Sequence, residues 1–142
     1  MSARIVTAAA ALALGALGAG CGRSEPDSSS KFRGEEKLVA NTIEDLQTAG
    51  RKRDGARICN ELLAAGVVKA IQQAAGPKKC AARVEDSLGD ADTFELTVRS
   101  VTVKGNTATA AVASDDGDDK DRIDTMTLAK EGKRWKITAL GG

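Results

Sequence analysis

Residues 93–140 carry the pattern that decides the fold, and they read TFELTVRSVTVKGNTATAAVASDDGDDKDRIDTMTLAKEGKRWKITAL. Apolar residues alternate with polar ones in four segments, which turn-forming or loop-forming residues separate. The alternating apolar positions are Phe94, Leu96 and Val98; Ala108, Ala110 and Val112; Met126 and Leu128; and Trp135 and Ile137. Because successive side chains of a strand point to opposite faces of a sheet, each segment has one apolar face. The stretch predicts a meander of four antiparallel strands.

The first segment contains a change of parity. Between Val98 and Val101 the apolar positions shift by one residue, across Arg99 and Ser100. Either the strand stops there or it carries a β-bulge. We expect the bulge, because Val101 and Val103 continue with good strand formers, and a bulge would bend the sheet.

Turn residues separate the four segments. Gly105-Asn106 predicts the first turn, and residues 130–133, which include Gly132, predict the last. The middle connection, residues 115–121, contains five aspartates. Its spacing does not fit an EF-hand calcium loop, so we interpret it as a solvated acidic loop, with a weak cation site as the alternative.

The residues before the meander show helical spacing. In residues 35–49 the apolar-side positions recur every three or four residues, and Gly50 is expected to end this helix; they are Leu38, Val39, Thr42, Ile43 and Leu46. Asp54 is expected to cap a second helix that stops at Gly66, with Ala56, Cys59, Leu62 and Leu63 facing inward. A third helix is expected over residues 67–75, and Cys80, Val84 and Leu88 share one side of a fourth. The prediction is an α+β domain in which N-terminal helices pack on a curved antiparallel sheet.

The N-terminal residues have the composition of an export signal. Residues 1–20 contain a short basic start, an apolar run too short to span a membrane, and small residues before Cys21. The sequence Leu17-Gly18-Ala19-Gly20-Cys21 resembles the lipobox of bacterial lipoproteins, with the leucine one place earlier than usual. The resemblance implies a signal peptide over residues 1–20 and lipid, palmitate included, on Cys21. The alternative is ordinary cleavage near Gly20 with Cys21 left as a free thiol.

The following segment, residues 22–33, has almost no apolar residues and is interpreted as a flexible tether. The division expected is thus signal peptide 1–20, lipidated cysteine and tether 21–33, and one domain, 34–142. The protein would lie on the outer face of the bacterial cell membrane, in the cell envelope.

Composition limits the partners and the cysteine chemistry. Without the signal the chain has 20 basic and 20 acidic residues, no Tyr, one Trp and two Phe, which argues against nucleic-acid binding. With Cys21 lipidated, Cys59 and Cys80 remain, and in an oxidising compartment they are expected to pair. A zinc site would lack ligands, because the chain has no histidine. We expect no cofactor and no metal.

The order of helices and strands, ending in Arg134-Trp135-Lys136-Ile137, resembles the nuclear-transport-factor-2-like fold, SnoaL-like and DUF4878-like domains of small bacterial lipoproteins in particular. The likeness covers roughly residues 35–140. It implies a cone of helix and bent sheet whose mouth can hold a small ligand. The candidate pocket lining is then the apolar strand face: Phe94, Leu96, Val98, Met126, Trp135 and Ile137.

Two functions follow from this reading. The first is a membrane-anchored binding or interaction domain, for a small apolar ligand or an envelope protein, with no catalysis. The alternative is a small isomerase, dehydratase or hydrolase that uses a pocket carboxylate; Asp92, Glu95 and Asp124 are the acids near strands. Enzymes of this fold rely on inward Tyr, His and Asp groups, and the chain has no Tyr and no His. An open pocket with a buried carboxylate would favour the enzyme, and one filled by Phe94, Met126 and Trp135 would favour protein interaction.

Overall fold

The computed structural model describes residues 28–74, 76, 78–88, 94–115 and 122–141. Predictions about the signal peptide, Cys21, the first part of the tether, Asp92 and residues 116–121 concern positions outside these ranges. The elements in chain order are a 3-10 turn Ser28–Lys31, α1 Gly34–Arg51, α2 Gly55–Arg57 with a π-helical turn Ile58–Leu62, α3 Ala65–Ala74, α4 Cys80–Ser87, β1 Glu95–Lys104, β2 Thr107–Asp115, β3 Arg122–Glu131 and β4 Arg134–Ala139. The predicted α+β class is confirmed.

The four strands form one antiparallel sheet in the order β1-β2-β3-β4. Every alternating apolar position named above is buried, except that Phe94 is half-buried just before β1. The register of β1 against β2 shifts between Val98 and Ser100, so the predicted bulge lies at Arg99. A second shift, at Thr138 on β4, was not predicted. The two shifts increase the bend of the sheet around α1.

Both predicted hairpin turns are present, and each needs its glycine. Gly105 and Gly132 have φ of +59° and +64°, at the first position of a two-residue turn. A positive φ at this position matches the right-handed twist of the strands, and residues with a Cβ rarely adopt it. The turns therefore set the register of β1 with β2 and of β3 with β4.

Helix α1 lies on the apolar face of the sheet, with Val39, Ile43 and Leu46 buried. Leu38 departs from the prediction, because it faces solvent with 47% of its surface exposed. Gly50 does not end the helix either. It is buried inside the last turn, where an added Cβ would lie 2.5 Å from the ring of Phe94.

Helix α1 ends instead at Arg51, and Arg53, two residues later, has a φ of +53°. The N–H groups of Arg53 and Asp54 donate to the carbonyls of Gly50 and Ala49, at 3.0 and 2.9 Å. This is the paired hydrogen bonding that closes a helix around a left-handed residue. Asp54 then starts α2, and its carboxylate accepts the N–H of Arg57 at 2.9 Å, so the predicted cap is present.

The packed part of the chain begins before residue 34, contrary to the expected tether boundary. Ser29 and Phe32 are buried. The Ser28 hydroxyl accepts the N–H of Val98 (3.2 Å) and donates to Glu44 (3.2 Å). Gln47 of α1 accepts the N–H of Leu96. Side chains thus satisfy N–H groups on the free edge of β1, which would otherwise be open to another strand.

The short helices are joined by the predicted disulfide. Cys59 and Cys80 are bonded, with Cα atoms 6.2 Å apart and a sequence separation of 21, and both are buried. Gly66 belongs to the first turn of α3 and is not a stop, and Ala56 is exposed where a buried residue was expected. Ile58 takes the buried position, because the chain makes a π-helical turn there and rotates its faces.

A candidate ligand cavity

A cavity of about 480 Å³ lies between the short helices and the end of the sheet where β1 begins. Its walls are mostly apolar and come from α1, the π-helical turn, α3, α4, β1, β2, β3 and the segments next to them. The lining residues are Leu46, Ile58, Leu63, Val67, Ile71, Ala74, Arg83, Val84, Ser87, Leu88, Phe94, Leu96, Ser114, Asp124, Met126, Leu140 and Gly141. The cavity is open to solvent, and apolar side chains make up most of its lining.

Three of the six residues predicted to line a pocket do line it. Phe94, Leu96 and Met126 form the sheet side of the cavity. Val98 and Ile137 do not reach it, because both are completely buried in the core. Ile137 also belongs to the junction with the helices, where its carbonyl accepts the N–H of Ala64 at 2.9 Å.

Trp135, the third residue outside the cavity, lies at the other end of the sheet. Its indole N–H donates to Glu35 at 2.7 Å, and Lys130 donates to the same carboxylate at 2.8 Å. The pKa of Glu35 is lowered, first by the hydrogen bond from Lys130 and then by the bond from Trp135. Trp135 therefore joins α1 to the sheet and does not fill the cavity.

The helical wall of the cavity was not predicted from the sequence. It is formed by Val67 and Ile71 of α3, by Val84 of α4, and by Leu88, which follows α4. All four side chains are only partly buried. No residue of α3 is fully buried. The sequence signal that could have identified this wall is the apolar side of the two short helices α3 and α4.

The C-terminal residues form part of the rim. Leu140 is 58% exposed and lines the cavity together with Gly141. The Gly141 backbone lies directly against that of Thr125 in β3, where a Cβ would collide with the Thr125 carbonyl oxygen. Glycine at this position lets the chain follow β3 and places Leu140 beside the cavity.

Four polar side chains interrupt the apolar lining, namely Arg83, Ser87, Ser114 and Asp124. Asp124 is 23% exposed, and its carboxylate bonds to the Arg122 guanidinium at 3.1 Å. The Ser87 hydroxyl donates to the carbonyl of Arg83 at 2.9 Å. These groups can orient a polar part of a ligand, while the remaining walls can take only apolar surface.

Of the other acids considered, Glu95 is a surface residue. Its side chain is 57% exposed and pairs with Arg51 at 2.8 Å. In the described ranges no three His, Cys, Asp or Glu side chains converge as a metal site would require. None of the described helices has both the length and the apolar composition needed to cross a membrane.

The helices pack on a curved four-stranded antiparallel sheet, and this α+β arrangement is consistent with the fold of nuclear-transport-factor-2-like proteins. Residues 64–140 match the model of a family described as "Putative lumazine-binding". The match covers more than half of the 142 residues, so the chain belongs to this family. No curated protein and no solved structure gave a match. Thirteen of the seventeen cavity residues fall within the matched part.

Proposed function

We propose that this protein binds one small, mainly apolar molecule in the cavity, and that a lipid on Cys21 holds it on the outer face of the bacterial cell membrane. The observation that carries the binding proposal is the open cavity of about 480 Å³ with apolar walls. Small-molecule sites in proteins typically measure about 300–1,000 Å³ and combine apolar walls with a few placed polar groups. The family description points to the same kind of function.

The cavity also limits the chemistry of the ligand. At about 30 Å³ for a water-sized group, it has room for roughly 16 such groups. Most of their surface must be apolar, because an unpaired polar atom against these walls would lose its hydrogen bonds to water. Polar atoms can be satisfied near Arg83, Ser87, Ser114 and Asp124, or by water at the open mouth. A lumazine ring, which the family description names, fits only if its polar edge faces these four side chains or the open mouth.

A fluorescent apolar probe tests the site. N-phenyl-1-naphthylamine should bind the wild-type chain, and Ala74→Trp should weaken its binding at least about tenfold, because an indole on the cavity wall removes part of the volume. Ala82→Trp is the matched control, since Ala82 is exposed on α4 and does not line the cavity. Titration of each variant with the probe, and with lumazine, gives the affinities. Equal binding by Ala74→Trp and wild type would refute a site in this cavity.

An enzyme remains the second candidate function, and one observation favours it: Asp124 lies in the cavity wall. Its carboxylate already accepts a hydrogen bond from Arg122, so a base at this position would have to leave that partner. We therefore propose binding without catalysis. Recovery of a bound molecule chemically unchanged supports this choice. Conversion of that molecule by the wild type but not by Asp124→Asn would contradict it.

The anchor is proposed from the lipobox-like residues before Cys21 and is tested separately from the cavity. Cys21→Ala should release the protein into the medium or leave it unprocessed, because the acceptor sulfur is absent. Fractionation of cells followed by mass determination of the processed chain gives the result. A correctly cleaved Cys21→Ala protein that stays in the membrane fraction would contradict the anchor and leave the cavity proposal unaffected.

A further inference from the structure

We infer that the β1 edge of the domain is a membrane-facing surface that contacts anionic phospholipid headgroups. The inference rests on the proposed anchor for its biological setting. The surface consists of four exposed cations, namely Lys31, Arg33, Arg99 and Lys104, and we name it the β1-edge surface.

The residues that form this surface come from two acid-free stretches. Residues 28–34, SSSKFRG, contain two cations and no acid. Residues 96–114, which cover most of β1 and β2, also contain two cations and no acid. The structure brings the two stretches together, because the Lys31 ammonium donates to the Arg99 carbonyl at 3.0 Å and the N–H of Val98 donates to Ser28.

The cations of this surface are not neutralised by the described part of the chain. None of the four forms an ion pair with a described carboxylate. Of the nearby acids of α1, Glu35 is paired with Lys130. Glu44 accepts hydrogen bonds from Ser28 and Ser29 but keeps its negative charge, and Glu36 is exposed. Glu36 and Glu44 reduce the positive charge by two, and the four cations leave a positive balance.

The length of chain before Ser28 keeps this surface near the bilayer. Only residues 22–27 separate Cys21 from Ser28. Seven residue steps span at most about 25 Å when fully extended. The linking segment ends at Ser28, because the Ser28 hydroxyl is hydrogen-bonded to Val98 of β1. This limit keeps the four cations next to the bilayer, where they act on the headgroups when they lie within the screening length of about 8 Å in physiological salt.

The arrangement also places part of the cavity wall away from the β1-edge surface. Ser28 lies beside β1, whereas α3, which contributes Val67 and Ile71 to the cavity, packs against β4 at the other edge of the sheet. With the β1 edge against the membrane, α3 would lie on the side of the sheet away from the lipid.

Vesicle binding tests the surface without the lipid anchor. Every described element and the disulfide lie in residues 28–141, so the chain from residue 21 with Cys21→Ser retains them all. It should partition at least about tenfold more strongly onto vesicles with 30% phosphatidylglycerol than onto pure phosphatidylcholine at low salt, since each cation near such a surface contributes about fivefold. Salt at about 0.5 M should remove the difference.

Charge reversal locates the effect. Lys31→Glu with Arg99→Glu should abolish the preference for anionic vesicles. The control is Lys69→Glu with Lys79→Glu, which makes the same change of net charge at exposed positions on and near α3 and α4 and should keep the preference within about threefold. Equal loss in both double variants, or no preference in the parent chain, would overturn the inference. Thermal unfolding of each variant shows whether it is folded. Because no acyl chain and no probe takes part, these outcomes are independent of those for Cys21→Ala and Ala74→Trp.

Discussion

Cys59→Ser should lower the melting temperature by about 10 °C. The disulfide closes a loop with a sequence separation of 21, which is worth about 3 kcal/mol through restriction of the unfolded chain. For a domain of this size each kcal/mol corresponds to roughly 3–4 °C. The bridge also fixes the start of α4, whose later residues Val84 and Ser87 line the cavity. Thermal unfolding with and without reductant measures the effect.

The reductant provides the control for this prediction. It should lower the melting temperature of wild type to that of Cys59→Ser and leave the variant unchanged. In the variant, Cys80 should become a free thiol that alkylates on unfolding. A melting temperature of Cys59→Ser equal to that of the oxidised wild type would show that the bridge does not stabilise the fold.

Ile137→Ala should reduce the free energy of unfolding by about 2–5 kcal/mol and change the affinity for N-phenyl-1-naphthylamine by less than about threefold. The loss of stability follows from a cavity in the core, because Ile137 has no exposed surface. The affinity should persist because Ile137 does not line the ligand cavity. Denaturant unfolding and probe titration measure the two quantities.

Met126→Ala is the comparison, because Met126 is nearly as buried, on the neighbouring strand β3, but lines the cavity. It should change probe affinity several-fold through the altered wall, in addition to destabilising the fold. If folded Ile137→Ala lost the probe and Met126→Ala did not, the cavity would be assigned to the wrong part of the apolar face.

The sheet could be predicted from the sequence because its signals are local. Alternation identified the strands, and the parity change around Arg99 identified the bulge. Gly105 and Gly132 identified the turns because each turn requires a positive φ. The cysteine pair followed from compartment chemistry and the number of available thiols.

The helix ends were less predictable, because glycine has two roles. The sequence pattern predicts helix stops at Gly50 and Gly66, but both residues lie inside helices. Gly50 is needed for the close approach of the Phe94 ring, a neighbour 44 residues away in sequence. A contact of this kind depends on the tertiary structure, and a local pattern does not contain it.

The sheet side of the cavity could be predicted from the sequence, but its position could not, because it depends on tertiary packing. The sequence identifies the apolar face of the sheet, and Phe94, Leu96 and Met126 belong to it. Which part of that face stays uncovered depends on where the helices lie. Val98 is completely buried in the core beneath α1, whereas the cavity separates α3 and α4 from the end of the sheet where β1 begins. The anchor at Cys21 stays a prediction, since it lies outside the described residues.

The most direct test of ligand binding in this cavity is methyl NMR of the folded protein with N-phenyl-1-naphthylamine. The account predicts chemical-shift changes at the methyl groups of Val67, Ile71, Val84 and Leu88, which line the cavity, and none at the exposed Leu38 and Ile123. Changes centred on Leu38 or Ile123, or no changes at a saturating concentration of the probe, would contradict it.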